Sequence, residues 1–171
     1  MNMTRSDNET ARKPVLIMGI GNLVLQDEGF GIHVIQELTR RGVQDIDLLD
    51  GGTAGLHLMG YLQQYDNVIV VDAALDNYPE GTLRCLRPRF KEFPPLVTAH
   101  EIGFKDVLEA LTVTGFCPEV QLIVASVKKY TSLGTTLSPA VQAVVVPAAD
   151  MALELAAAIL DSSTAGNGET Y

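Results

Sequence analysis

Pro14-Val-Leu-Ile-Met-Gly-Ile-Gly-Asn22 decides the architecture. The run Pro14 to Met18 is apolar without interruption, as in a strand buried on both faces, and Gly19 and Gly21 set a glycine turn at its carboxyl end. Beyond the turn, Phe30, Val34, Ile35 and Leu38 recur at helical spacing, which predicts a helix over 29–41 with Asp27 as its N-cap. Strand, glycine turn and helix in that order open a parallel sheet covered by helices.

The rest of the chain extends that unit. Asp-Ile-Asp-Leu-Leu-Asp at 45–50 reads as a second strand ended by Gly51-Gly52, and Thr53 is positioned to cap a helix reaching about Tyr65. Asn-Val-Ile-Val-Val-Asp at 67–72 is a third strand, apolar enough to be central. Thr82 to Leu86 alternates as a fourth strand. About ten residues separate it from the third, fewer than a parallel crossover needs, so it is expected to run antiparallel. A proline-marked loop fills 90–99, a helix 101–111 and a fifth strand 120–125. Ser138-Pro139 is a favoured helix start, and Pro147 should break that helix into a short piece and a longer one ending near Leu160. The expected fold class is α/β: a single domain over 14–160 with a twisted, mixed, mostly parallel five-stranded sheet and helices on both faces. Residues 1–13 and 161–171 are expected to be flexible tails.

Composition narrows the function. The 171 residues suit one domain, and 47% hydrophobic with 19% charged residues describes an ordinary globule. Twelve Lys and Arg against twenty-one Asp and Glu leave a net charge of −9, the wrong sign for tracking nucleic-acid phosphates or anionic lipid. No window reads as a membrane span and no signal peptide is evident, so a cytoplasmic location without membrane contact is expected. Cys85 and Cys117 are far apart in sequence and read as packed thiols.

Several motifs fall short. Gly19-Ile-Gly-Asn-Leu-Val24 lacks the third glycine of a dinucleotide fingerprint, and Asp27-Glu28 stands where a pyrophosphate would bind. His100-Glu-Ile-Gly-Phe104 begins like a zinc-protease helix but has Phe104 at the second histidine position. The remaining polar groups sit beyond the carboxyl ends of strands, where open parallel sheets build sites. Glu28 follows the first strand, Asp50 ends the second, Asp72 ends the third and His100 follows the long loop. Glu28, Asp72 and His100 form a borderline ligand set suited to nickel or zinc, with coordination positions left for a substrate. The same residue types also cap helices and bond loop amides, and Asp50 could simply order the Gly51-Gly52 turn. His33, His57 and the pair Lys128-Lys129 read as solvated surface groups.

Five segments in order resemble the hydrogenase maturation proteases. They are Met18-Gly-Ile-Gly-Asn-Leu-Val-Leu-Gln-Asp-Glu-Gly-Phe-Gly-Ile32, Asp50-Gly-Gly-Thr-Ala-Gly55, Val71-Asp-Ala73, Ala99-His-Glu-Ile-Gly103 and Leu137-Ser-Pro139. The resemblance implies an endopeptidase that removes a C-terminal extension from the precursor large subunit of a nickel–iron hydrogenase after nickel insertion. It implies metal binding by Glu28, Asp72 and His100, with nickel supplied by the substrate and no organic cofactor. Asp72 is then the candidate general base, with nickel polarising the carbonyl or the water as the open alternative; Asp50 lies near the site, and the protein is expected to be a monomer. A self-contained zinc hydrolase and a non-cleaving nickel or hydrogenase-assembly chaperone are the rival expectations. Glu101, where the family often has Gln, and Ala125-Ser-Val-Lys128, where it usually has Gly-x-x-Pro, bear on which hydrogenase is processed.

Overall fold

The computed structural model describes residues 12–87, 101–128 and 133–165. Strands β1 (Lys13–Gly19), β2 (Asp47–Asp50), β3 (Tyr65–Leu75), β4 (Leu83–Leu86) and β5 (Glu119–Val127) form one sheet in the order β2-β1-β3-β5-β4. All pairs are parallel except β4 with β5, which is antiparallel as the short connection demanded. The helices are α1 (Phe30–Arg40), α2 (Met59–Leu62), α3 (Glu101–Val113), α4 (Pro139–Gln142) and α5 (Val145–Ala165). The chain is a single α/β domain with a mixed, mostly parallel sheet between helices.

Strand alternation splits the core in two. Ile17, Ile69, Val71, Ile123 and Ala125 pack under α1 and α5 with Phe30, Val34, Leu38, Ala149 and Ala152. Leu16, Met18, Val68, Val70 and Val124 pack on the other side with Leu58, Leu62, Phe104 and Leu108. Val68, Ile69, Val70 and Val71 are each at most 1% exposed, and burying each side chain contributes about 1.5–3 kcal/mol. This fixes β3 at the centre.

Several elements differ from expectation. Asp27 does not cap the first helix; a 3-10 turn over Gln26–Gly29 intervenes, and Gly29 is the N-cap without any side-chain bond. The helix expected over 53–65 shrinks to a 3-10 turn, Leu56–Leu58, followed by α2. Thr53 caps nothing there, because Ala54 at φ 59 and Gly55 at φ 150 are still turning the chain, and Tyr65 already belongs to β3. The break near Pro147 falls between α4 and α5, at Ala143 and Val144. A proline ring excludes the carbonyl four residues earlier, here Ala143, while Pro147 itself fits the first turn of α5. That helix runs to Ala165, five residues past the expected end.

Pro139–Ser163 is long and apolar enough to cross a membrane by length and composition, with a mean hydropathy of 1.9. No such window was expected from the sequence. In this fold it lays Ala148, Ala149, Ala152, Ala156 and Ile159 on the sheet. Cys85 is exposed on edge strand β4 rather than packed, and Cys117 is half-buried. Lys128 is exposed, as expected, and also pairs with Glu80 at 3.0 Å; Lys129 lies outside the described residues.

The end of α1 carries a pH-dependent contact. Glu37 accepts two hydrogen bonds from Arg40 and one from Arg41, all at 2.8 Å. These bonds, Arg40's first, hold its carboxyl at about 2. A depressed folded value stabilises the protein above the unfolded carboxyl's range and is lost as pH falls through about 2. Glu37→Gln should therefore melt no more than about 2 °C below wild type at pH 7, since ion pairs at the surface are weak, and the gap should close near pH 2. Thermal melts of both proteins at the two pH values check this.

Candidate active site

The sheet order reverses at β1 and β3: β1 leads through α1 to β2 on one side, while β3 lies on the other. The crevice beyond the carboxyl ends at such a reversal is where open α/β sheets bind ligands. Gly19, the last residue of β1, pairs in register with Asp50 on one flank and Val71 on the other. The Ile20 N–H donates to the Val71 carbonyl at 2.8 Å, and there β1 leaves the sheet. Asp72 is the first residue of β3 past that departure.

Asp72 does not end its strand. β3 continues through Leu75, its Ala73, Ala74 and Leu75 paired with Ala125, Ser126 and Val127 of β5. Asp72 is 4% exposed, and its Oδ1 accepts the Ala73 N–H at 2.7 Å. Alternation turns it away from Val71 and α1, toward the side occupied by Val70 and Ala74.

Glu28 is also 4% exposed. It lies in the 3-10 turn, which packs against β3, the strand that carries Asp72. Its carbonyl accepts the Asn22 N–H at 3.2 Å. Gly21 must be glycine here, because a Cβ would stand 2.3 Å from that carbonyl oxygen. Burying a carboxylate costs several kcal/mol unless partners offset it, so each of these two is held by its surroundings.

Asp50 behaves differently. It is exposed, and its Oδ1 accepts the Gly52 N–H at 2.9 Å. Gly52 in turn accepts the Gly21 N–H at 2.8 Å, and Gly51 donates to the Gly19 carbonyl at 2.8 Å. Asp50 thus orders the loop that backs Gly21, which backs Glu28. Its register with Gly19 and Val71 puts it on the opposite face of the sheet from Asp72.

His100 lies outside the described residues. Among those described, no three His, Cys, Asp or Glu side chains gather to hold a metal. His57 is exposed, as expected. His33 is not fully solvated: its Nε2 is buried without a hydrogen-bond partner, beside a cleft of 210 Å³ shared with Gln36, Glu37, Arg40, Gln142 and Val145. Asp27 was legible only as a capping residue, yet it is 8% exposed and bonds across the site.

The hydrogenase maturation protease family model matches residues 32–155. The hydrogenase expression/formation protein HupD of Bradyrhizobium diazoefficiens is 36% identical over 150 residues, spanning 84% of this chain and 78% of its own. The Hydrogenase 2 maturation protease of Escherichia coli is 35% identical over 147 residues, spanning 81% and 88%. This chain belongs to the hydrogenase maturation protease family. Solved structures agree. The hydrogenase-maturating endopeptidase HybD of E. coli superposes with a TM-score of 0.72 at 31% identity, covering 88% of this chain and 94% of its own. HybD of Thermococcus kodakarensis gives 0.73 at 26% identity, covering 84% and 99%. This hydrogenase maturation protease is accordingly a peptidase.

Proposed function

We propose that this protease removes the C-terminal extension of a nickel–iron hydrogenase large-subunit precursor after nickel has been inserted, acting as a cytoplasmic monomer. The observation that carries the reading is the pair Glu28 and Asp72, each 4% exposed at the reversal of the sheet. Two carboxylates and an imidazole, that of His100, are by residue type a borderline donor set, suited to a divalent nickel presented by the substrate. Glu28, Asp72 and His100 would add ligands to that nickel, so recognition is a metal bridge between two proteins. Tenfold discrimination against nickel-free precursor takes about 1.4 kcal/mol, well within reach of metal–ligand bonds.

Docking places the scissile amide beside the carboxylates. Asp72 acts as general base: it accepts a proton from water as the water oxygen attacks the amide carbon. Collapse of the tetrahedral intermediate breaks the C–N bond and delivers a proton to the leaving amine. The products are a mature subunit with a new carboxylate terminus and a released peptide.

Intact-mass spectrometry of precursor mixed with this protein, with and without inserted nickel, tests the reading. Loss of a C-terminal fragment only from the nickel-loaded sample supports it. Cleavage in both samples removes the nickel requirement and leaves a self-contained hydrolase. A stable complex with unaltered mass for both would point to an assembly chaperone.

A further inference from the structure

Asp27 precedes Glu28 at the start of a helical turn, where an acidic side chain ordinarily bonds the N–H groups of its own helix. It does not. Neither the 3-10 turn nor α1 has a side-chain cap, and Asp27 Oδ1 instead accepts the Ser138 backbone N–H at 2.6 Å, 111 residues away. Ser138 is the N-cap of α4, and its hydroxyl donates to Glu80 Oε1 at 3.3 Å. Glu80 Oε2 pairs with Lys128 Nζ at 3.0 Å. One polar chain therefore ties the turn after β1, the loop after β3, the end of β5 and the head of α4.

A second tie reaches the neighbouring residue. The Gln26 N–H donates to the Gly134 carbonyl at 2.8 Å, and the Gly134 N–H donates to the Val24 carbonyl at 3.0 Å. Gln26 is held at φ 48, a conformation a non-glycine residue keeps only when its surroundings impose it. The segment before Glu28 is thus clamped at two successive residues, by backbone groups and by a buried carboxylate whose charge strengthens its bond.

We propose that Asp27 is a positioning residue: through Ser138 it fixes the turn that carries Glu28 against β3. This rests on the reading of Glu28 as a contact to the substrate's metal. Asp27→Ala should raise KM for nickel-loaded precursor by about 10–100-fold, the usual effect of losing a group that orients a ligand, with kcat changed far less. Asp27→Asn keeps an Oδ1 acceptor and should restore KM to within about threefold of wild type, since the bond and not the charge is required. Ser138→Pro removes the donor at a φ of −61 that proline already favours, and should reproduce Asp27→Ala.

The decisive experiment pairs these kinetics with two-dimensional amide NMR of the same proteins without substrate. The expected result is displaced Glu28 and Asp72 resonances in Asp27→Ala and Ser138→Pro, recovered in Asp27→Asn. Unmoved resonances in both disrupting variants overturn the proposal, as does an Asp27→Asn protein as impaired as Asp27→Ala, which would give the charge itself a direct role. Should Asp27→Ala not fold, Ser138→Pro and Asp27→Asn make the same comparison. If wild type leaves every precursor uncut, the substrate reading fails, and the NMR comparison still decides whether Asp27 holds Glu28.

Discussion

Asp72→Asn is expected to slow removal of the extension by about 10²–10⁴-fold, the range for losing a general base. The melting temperature should stay within about 4 °C of wild type, which for this chain length means roughly 1 kcal/mol. The expectation is asymmetric because asparagine keeps the volume of Asp72 and the Oδ1 acceptor bonded by the Ala73 N–H at 2.7 Å. It loses the charge that would bind a cation and the basicity that would take a proton from water. Glu28→Gln should follow the same pattern, with the larger part of its loss in substrate affinity. Single-turnover cleavage followed by intact mass, beside thermal melts, separates the two quantities. Wild-type cleavage by Asp72→Asn would sink the mechanism, and a fall in melting temperature beyond about 10 °C would move Asp72 from the reaction to the fold.

What the sequence could reveal depended on how local each cause was. The five strands were legible because apolar runs and alternation are local signals. The antiparallel sense of β4 followed from the short stretch before it. Boundaries set by a neighbouring strand were not legible. Val-Val-Asp at 70–72 reads as a strand end because a charge follows an apolar run, yet β3 runs on to Leu75 because β5 offers it partners through Val127. The relevant end belongs to β1, which stops opposite Val71. Asp72 therefore stands just past the end of β1, while its own strand runs on beside β5.

The same division runs through the site. Glu28 and Asp50 stand in motifs a few residues long, and the Gly52 bond of Asp50 is itself local. The destination of Asp27 was hidden, since Ser138 is brought to it only by the assembled sheet and α4. Capping rules assign such a residue to its own helix, and here tertiary structure claims it instead. Proline placed the break before α5 almost correctly because its steric effect reaches only four residues back. The helix after Gly51-Gly52 was overestimated because positive φ at Ala54 leaves no trace in a hydrophobic pattern.

Gly31→Ala is expected to be among the most damaging added methyl groups at the described glycines. A Cβ there would stand 2.2 Å from the Val71 carbonyl oxygen and 2.3 Å from that of Ile20. Both neighbours are backbone, and the Val71 oxygen is already bonded to the Ile20 N–H, so neither can turn aside as a side chain would. α1 must therefore move off the sheet, loosening Phe30, Val34 and Leu38, each 0% exposed. Overpacking a core costs about 1–3 kcal/mol and occasionally more, and this contact should fall at or above the upper end. A loss of about 3 kcal/mol corresponds to a fall of roughly 6–12 °C in melting temperature. Gly19→Ala meets the same interface from β1, 2.2 Å from the Gly31 carbonyl oxygen, and should behave alike. Gly60→Ala on α2 meets nothing within 4 Å and should be neutral or stabilising by up to about 1 kcal/mol. Denaturant titrations of the three variants provide the check, and Gly31→Ala with wild-type stability would mean that α1 can shift at little cost. On the proposed mechanism that tight seat would serve the chemistry as well as the fold, because the 3-10 turn carrying Glu28 runs directly into α1. Activity should fall in Gly31→Ala even under conditions where the protein remains folded, as the helix that anchors the turn is displaced from β3.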